Sequence, residues 1–147
     1  MKSHAIAIAM LLGSVYVLSG CAAGGAAFVP AVAPPEGKAL VYIYRPDSIV
    51  GGAIRYHVAE GDKRIVYLIR GGYFPYLADP GEREFWARTE SKATATETLK
   101  AGHTYYLQGR IGAGLGVGRP RLTFVSEETG KKEVAKCKLL PAAEGSH

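Results

Sequence analysis

The sequence predicts an all-β fold, a single β-sandwich of seven to eight short, mostly antiparallel strands. Three observations carry this. From residue 38 onward, short runs rich in β-branched and aromatic residues recur, the composition that suits a pleated, half-buried surface. Clusters of Gly, Pro and Asp separate the runs at the spacing of a sandwich. No apolar period near 3.6 persists long enough in this region to write a helix.

Taken in order, Ala39-Leu-Val-Tyr-Ile-Tyr44 is the first strand, closed by Pro46 and Asp47. Residues 53–59 alternate, with Ile54, Tyr56 and Val58 on one face and Arg55 and His57 on the other. Glu60-Gly61-Asp62 is a turn, residues 65–69 are a short apolar strand, and Gly71-Gly72 breaks it. Residues 73–77 form the next run, and their central Pro75 marks an edge or bulged strand because it cannot donate to a ladder. Asp79-Pro80-Gly81 is a turn in which Pro presets φ and Gly permits a positive φ. Residues 84–89 alternate again, Phe85 and Ala87 opposite Trp86 and Arg88. Thr94, Thr96 and Thr98 line a polar-faced strand ending at Leu99, and Lys100-Ala101-Gly102 turns the chain into residues 104–108. After a glycine-rich stretch come a strand over 121–125, a turn over 127–130, and a last run near 133–139 that reads as strand or short helix. The expected inner face holds Val41, Ile43, Ile54, Tyr56, Val58, Ile65, Tyr67, Leu77, Phe85, Tyr105, Leu107, Leu122 and Phe124.

Ahead of this domain stands Lys2, then an apolar run from Ala5 to Val17, then Leu18-Ser19-Gly20-Cys21. The run suits a secretory leader and is short for a membrane span. The four residues ending in Cys21 resemble the bacterial lipobox. The resemblance implies a diacylglyceryl group on the Cys21 thiol, removal of residues 1–20, and acylation of the new amino terminus. No other cofactor is expected. Residues 21–37 then form the lipidated N-terminus and a Pro/Ala/Gly tether with Pro30, Pro34 and Pro35, residues 38–140 the sandwich, and residues 141–147 a disordered tail. Ala22, a non-acidic residue after the cysteine, is similar to the outer-membrane sorting pattern. The expected place is therefore the cell envelope, lipid-anchored at the outer membrane and facing the periplasm.

The chain of 147 residues carries 18 lysines and arginines against 13 acidic residues, a formal charge of +5. Arg45, Arg55, Arg70, Arg88, Arg110, Arg119 and Arg121 are spread along it without a dense block, which reads as a solvated surface and not a nucleic-acid footprint. Attraction to anionic lipid or lipopolysaccharide phosphates stays open. With Cys21 committed to lipid, Cys137 has no disulfide partner within the chain, and the expectation is a buried, inert thiol. A reactive thiol would need its pKa lowered, to which Lys136 and Lys138 would contribute.

Two constellations remain. Gly112, Gly114, Gly116 and Gly118 alternate with Ala113, Leu115 and Val117. On an extended strand this gives one bare glycine face and one apolar face. The plain interpretation is a bulge or hairpin tip, and the functional one is an interaction surface formed by Gly114, Leu115, Gly116 and Val117. The segment lacks the Gly-Lys-Ser/Thr ending of a phosphate-binding loop. Second, Tyr73, Phe74, Tyr76 and Trp86 gather around the Pro-Gly turn, and Tyr73, Tyr76 and Trp86 are candidates to stack on a sugar. Aromatics on such strands also simply cover core. His57, His103 and His147 lack metal-ligand spacing, Ser48, Ser91 and Ser126 lack a Gly-x-Ser-x-Gly frame, and the pairs Glu82/Glu84 and Glu127/Glu128 are expected in solvated turns. No catalytic residue or metal ligand is assigned, and the chain is not expected to be an enzyme.

Ala39-Leu-Val-Tyr-Ile-Tyr-Arg-Pro46, Gly71-Gly-Tyr-Phe74, Asp79-Pro-Gly81, Leu99-Lys-Ala-Gly102, Tyr105-Tyr106 and Gly116-Val-Gly-Arg-Pro120 accumulate into one pattern. Over residues 38–126 it resembles the bacterial lipoprotein family catalogued as domain of unknown function 2846. It also looks like the prealbumin-like and immunoglobulin-like sandwich modules of extracellular proteins. The resemblance implies a lipid-anchored β-domain and brings no catalytic residues. The expected function is a non-catalytic interaction or structural module, with the membrane and an envelope protein as partners and no nucleic acid. The alternative is a binding module for carbohydrate, peptidoglycan or another small envelope ligand.

Overall fold

A computed structural model of the chain describes residues 22–113 and 118–144. In chain order its elements are β1 (Ala39–Arg45), β2 (Tyr56–Glu60), β3 (Lys63–Leu68), β4 (Gly72–Ala78), β5 (Gly81–Arg88), β6 (Lys92–Leu99), β7 (Thr104–Gly112), β8 (Arg119–Val125), α1 (Glu127–Val134) and β9 (Lys138–Leu139). The strands make two sheets, β8-β7-β1-β4-β9 and β3-β2-β5-β6, stacked as a β-sandwich. Pairing is mostly antiparallel, the exceptions being β1 with β7 and β4 with β9.

Between the sheets Val41 and Ile43 meet Val58, Phe85, Ala87, Leu107 and Leu122. Burying such side chains contributes roughly 1.5–3 kcal/mol each. On β5 the predicted alternation holds: Phe85 and Ala87 are buried while Arg88 is exposed. Pro75 sits where β4 is open, because β9 pairs only with Gly72 and Tyr73 and no donor is missed there.

The larger sheet is covered on its outer face as well. Leu40, Tyr42 and Tyr44 of β1 pack outward with Tyr73, Tyr106, Val134 and Cys137, and Phe28 joins them from the N-terminal segment. Two pieces make that cover. The first is α1, whose N-cap Ser126 accepts from the Thr129 amide, with Glu127 and Glu128 in the first turn and Lys131 and Lys132 in the last, each sign suited to its end of the helix dipole. The second is the segment expected to be a tether. The Ala23 amide donates to the Arg70 carbonyl at 3.1 Å and the Leu139 amide to the Ala26 carbonyl at 2.8 Å. The Ala31 amide donates to the Tyr42 hydroxyl at 2.8 Å. Residues 23–31 therefore lie along the domain instead of standing it off.

Several expectations need correction. Tyr67 is 42% exposed and Leu77 46% exposed, so neither is core. The β2–β3 ladder slips between Val58 and Ala59, which pair with Val66 and Arg64. Ile65 is thus an extra residue, and a bulge of one residue reverses the parity of everything beyond it. Leu77 lies opposite Leu40 on the outer face, because Phe74, Tyr76 and Ala78 take the inner positions of β4. Arg45 is 1% exposed and is no part of a solvated surface. The turn expected over 127–130 is the start of α1, and Glu82 and Glu84 belong to β5. Within the expected tail, Ala142 bridges Val66 and the Ala143 amide donates to the Ile65 carbonyl at 2.9 Å.

Gly130 shows how closely α1 is seated. A Cβ there would stand 2.1 Å from Cγ of Tyr106 and 2.4 Å from its Cβ. Alanine would gain roughly 1 kcal/mol of helix propensity, but the clash obliges the helix to lift from the sheet. Gly130→Ala is expected to destabilise by about 1–3 kcal/mol net. An unchanged or raised denaturation midpoint would show that α1 slides freely over Tyr106.

Candidate functional site

Of the residues singled out from sequence, Cys21, Gly114, Leu115, Gly116 and Val117 lie outside the described residues. The three aromatics do not form one platform. Tyr73 is buried in the outer layer, where Phe28 meets it edge-on at 5.0 Å. Tyr76 points the other way, between the sheets, edge-on to Phe85 at 6.1 Å with its hydroxyl donating to Glu60 Oε2 at 2.6 Å. Trp86 lies on the outside of the smaller sheet, its Nε1 donating to the Gly61 carbonyl at 2.8 Å and the Lys92 ammonium 5.3 Å from its ring centre. Strand parity explains the split: residues 73 and 76 fall on opposite faces of β4, and residue 86 alternates with inward Phe85. A joint stacking surface of Tyr73, Tyr76 and Trp86 is therefore excluded. Trp86 alone borders an open basin with Glu60, Asp62, Glu82, Glu84 and Arg83.

A second concavity lies between the N-terminal segment and α1, a groove of about 620 Å³. Its floor is Tyr42 and Tyr106, stacked at 5.6 Å with planes 28° apart. One wall is Phe28, Pro30, Ala31 and Val32, and the other is Glu127, Lys131 and Ala135. Lys131 pairs with Glu127 along the helix. The hydrogen bond and charge of Lys131 hold the Glu127 carboxyl below its ordinary value. Val32 projects wholly into solvent at the rim, at 106% exposure. Sequence reasoning missed this groove because it assigned its wall to a tether and its helix to a turn.

Beside the groove is a polar network under the end of α1. Glu133 accepts from the Tyr44 hydroxyl at 2.6 Å and from the Gln108 amide on Oε2, and from Arg110 Nη2 at 2.9 Å on Oε1. Arg110 Nε also donates to Gln108 Oε1 at 2.7 Å. With both carboxylate oxygens engaged, the network pins the helix to β1 and β7, as a satisfied buried cluster does. Burial, then the Glu133 hydrogen bond, raises the Tyr44 hydroxyl far above its ordinary range. Cys137 lies next to it, its Sγ 3.6 Å from the Glu133 carbonyl and 3.8 Å from that of Arg45. Burial, with Glu133 and Asp47 adding, pushes this thiol up to about 12. It stays protonated at neutral pH and is a poor nucleophile. Lys136 and Lys138 do not offset the burial.

His57 stacks on Tyr67 at 4.6 Å, and burial followed by the charge of Arg64 lowers it below its ordinary value. Among the described residues no group of three or more His, Cys, Asp or Glu side chains is placed to hold a metal ion. No described helix is long and apolar enough to cross a membrane.

The chain is similar to an uncharacterized protein of Haemophilus influenzae, 29% identical over 139 residues, covering 89% of this chain and 82% of that protein. No family model matches the chain, and no solved structure matches it. The likeness covers most of the chain and assigns no chemistry to it.

Proposed function

We propose that this chain is a lipid-anchored protein of the bacterial cell envelope, held by diacylglyceryl and N-acyl groups on Cys21, whose β-sandwich is a non-catalytic interaction module. It is of the lipoprotein kind resembled by the sequence over residues 38–126, at the outer membrane and facing the periplasm. The observation that supports the reading is how early the domain begins. Ala23, two residues beyond Cys21, is already hydrogen-bonded to Arg70. An acyl anchor of more than one chain gives stable membrane attachment. Farther along the same segment, Phe28 to Val32 wall the aromatic-floored Tyr42–Tyr106 groove, whose aromatic residues suit an interaction site. The satisfied Glu133 network and the protonated Cys137 thiol offer no activated nucleophile or base.

Metabolic labelling with palmitate and membrane fractionation test the anchor. The wild type is expected to take up label and pellet with membranes. Cys21→Ala is expected to lose both. An unlabelled wild type would reject the reading. For the module, a photo-crosslinking residue at Val32 in the lipidated protein is expected to give one dominant protein adduct, and a pattern indistinguishable from that of a probe on exposed β6 would count against the groove.

A further inference from the structure

Strand register defines one end of the sandwich: Arg45 pairs with Gly72, and Gly112 with Arg119. The connection 46–55 and the turns 69–71 and 89–91 therefore gather there. Thr89 Oγ1 donates to the Gly118 carbonyl at 2.9 Å, and Glu90 lies 3.9 Å from Arg119, which joins the loops of both sheets into one surface.

Two side chains of the 46–55 connection are large, apolar and held outward: Ile49 is 92% exposed and Val50 64% exposed. They are not on a loose tip, since Arg45 grips the carbonyls of Gly51 and Ile54 from inside the fold. Around them the acidic side chains each have a cation. Asp47 stands 3.7 Å from Arg70, Glu133 2.9 Å from Arg110, and Glu90 3.9 Å from Arg119. That leaves Arg55, Arg88 and Arg121 with no carboxylate within 4.0 Å among the described residues. Arg121 lies directly opposite Arg110 on the β7–β8 ladder, where Glu133 engages Arg110 but stands farther than 4.0 Å from Arg121. The chain also enters at this end, because the Ala23 amide is bound to Arg70. At an extended reach of about 3.3–3.6 Å per residue, Cys21 lies within about 7 Å of Ala23.

We propose that this end of the sandwich rests on an anionic bilayer surface, with the arginines on lipid phosphates and Ile49 and Val50 at the boundary of headgroups and acyl chains. This rests on the lipid-anchor reading above and adds the orientation of the domain. Charge complementarity selects a bilayer with anionic headgroups, and two adjacent apolar side chains above a basic surface suit interfacial burial.

The test uses full-length lipidated protein in phosphatidylethanolamine vesicles doped with phosphatidylglycerol. Val50→Trp is expected to shift its emission to the blue and to be quenched by lipids brominated in the acyl chain. The wild type, whose Trp86 lies on the outside of the smaller sheet, is expected to show neither. Ile49→Trp is a second probe at a still more solvated position. Combining Val50→Trp with Arg55→Glu, Arg88→Glu and Arg121→Glu is expected to reduce the quenched fraction several-fold. Vesicle attachment through Cys21 with no quenching at either probe would overturn the orientation and leave the anchor standing. Equal quenching in pure phosphatidylcholine would overturn the role of the arginines. A wild type that fails to float with vesicles, like Cys21→Ala, would remove the anchor reading and the orientation with it.

Discussion

Arg45→Ala is expected to cost about 3–5 kcal/mol of folding stability. The guanidinium lies inside the end of the sandwich, with Nη1 donating to the Ile54 carbonyl and Nη2 to the Gly51 carbonyl, each at 2.6 Å. It also sits 5.8 Å from the centre of the Tyr56 ring. Burial, with Arg70 adding, lowers its pKa, but arginine keeps its proton in proteins. A buried cation without a carboxylate is costly, so its two carbonyl partners are what make it tolerable. In return it closes the long β1–β2 connection, where Gly51 adopts φ +66° and leaves no room for a Cβ beside Ile111. Truncation leaves a cavity and two carbonyls without their donor. Arg45→Met separates these effects, because it refills volume without restoring a donor. It is expected to recover part of the loss, and Arg45→Lys only part as well, since one ammonium lacks the fork that reaches both oxygens. Denaturation midpoints measure the order, and amide exchange at Gly52 and Ile54 reports the loop. A loss below about 1 kcal/mol for Arg45→Ala would mean that the connection holds itself.

Arg45 marks a limit of what the sequence discloses. A lone arginine at a strand end before Pro46 looks like any surface cation, since its partners are carbonyls and leave no mark in composition. The strands themselves were legible, because alternation on β5 and the Asp79-Pro80-Gly81 turn are local properties. Tyr67 was misplaced because a bulge at Ile65 is set by pairing between strands, which a single strand does not reveal. The outer layer was missed for a different reason. Every residue of β1 is buried, and a continuous apolar run is the mark of a strand covered on both faces. Ala39-Leu-Val-Tyr-Ile-Tyr44 carries that mark, but what covers it comes from Phe28 and from an eight-residue helix with Gly130 in its middle. Neither is strongly periodic. The candidate groove depends on both, so it was invisible for the same reason.

The fold is expected to lose stability steeply above about pH 10 while changing little below pH 9 from the same groups. Tyr44 and Tyr56 are buried and raised above their ordinary 10.0, Tyr44 by burial and then Glu133, Tyr56 by burial against the opposing charge of Arg45. Cys137 is raised from 9.0 to about 12, again chiefly by burial. In each case the unfolded chain gives up its proton first. Between the two pKa values the native state therefore holds more protons, and stability falls as pH rises. Below the unfolded values both states are protonated and the contribution is fully present. Each group contributes a slope of about 1.4 kcal/mol per pH unit, or about 4 for the three together. Against a total of roughly 5–15 kcal/mol for a domain, about one to four pH units suffice to unfold it. Tyr76 is raised by burial and Glu60 in the same direction, and its partial exposure softens its share. Tyr56→Phe isolates one proton. The hydroxyl makes only a 3.5 Å contact with the Arg110 carbonyl, so its removal costs little at neutral pH and is expected to flatten the alkaline slope by about a third. Denaturant midpoints from pH 8 to pH 11 measure this. A midpoint that stays level to pH 11 would mean that the buried hydroxyls ionise with little hindrance, and that the layer joining Tyr44, Glu133 and Cys137 opens far more readily than its packing indicates.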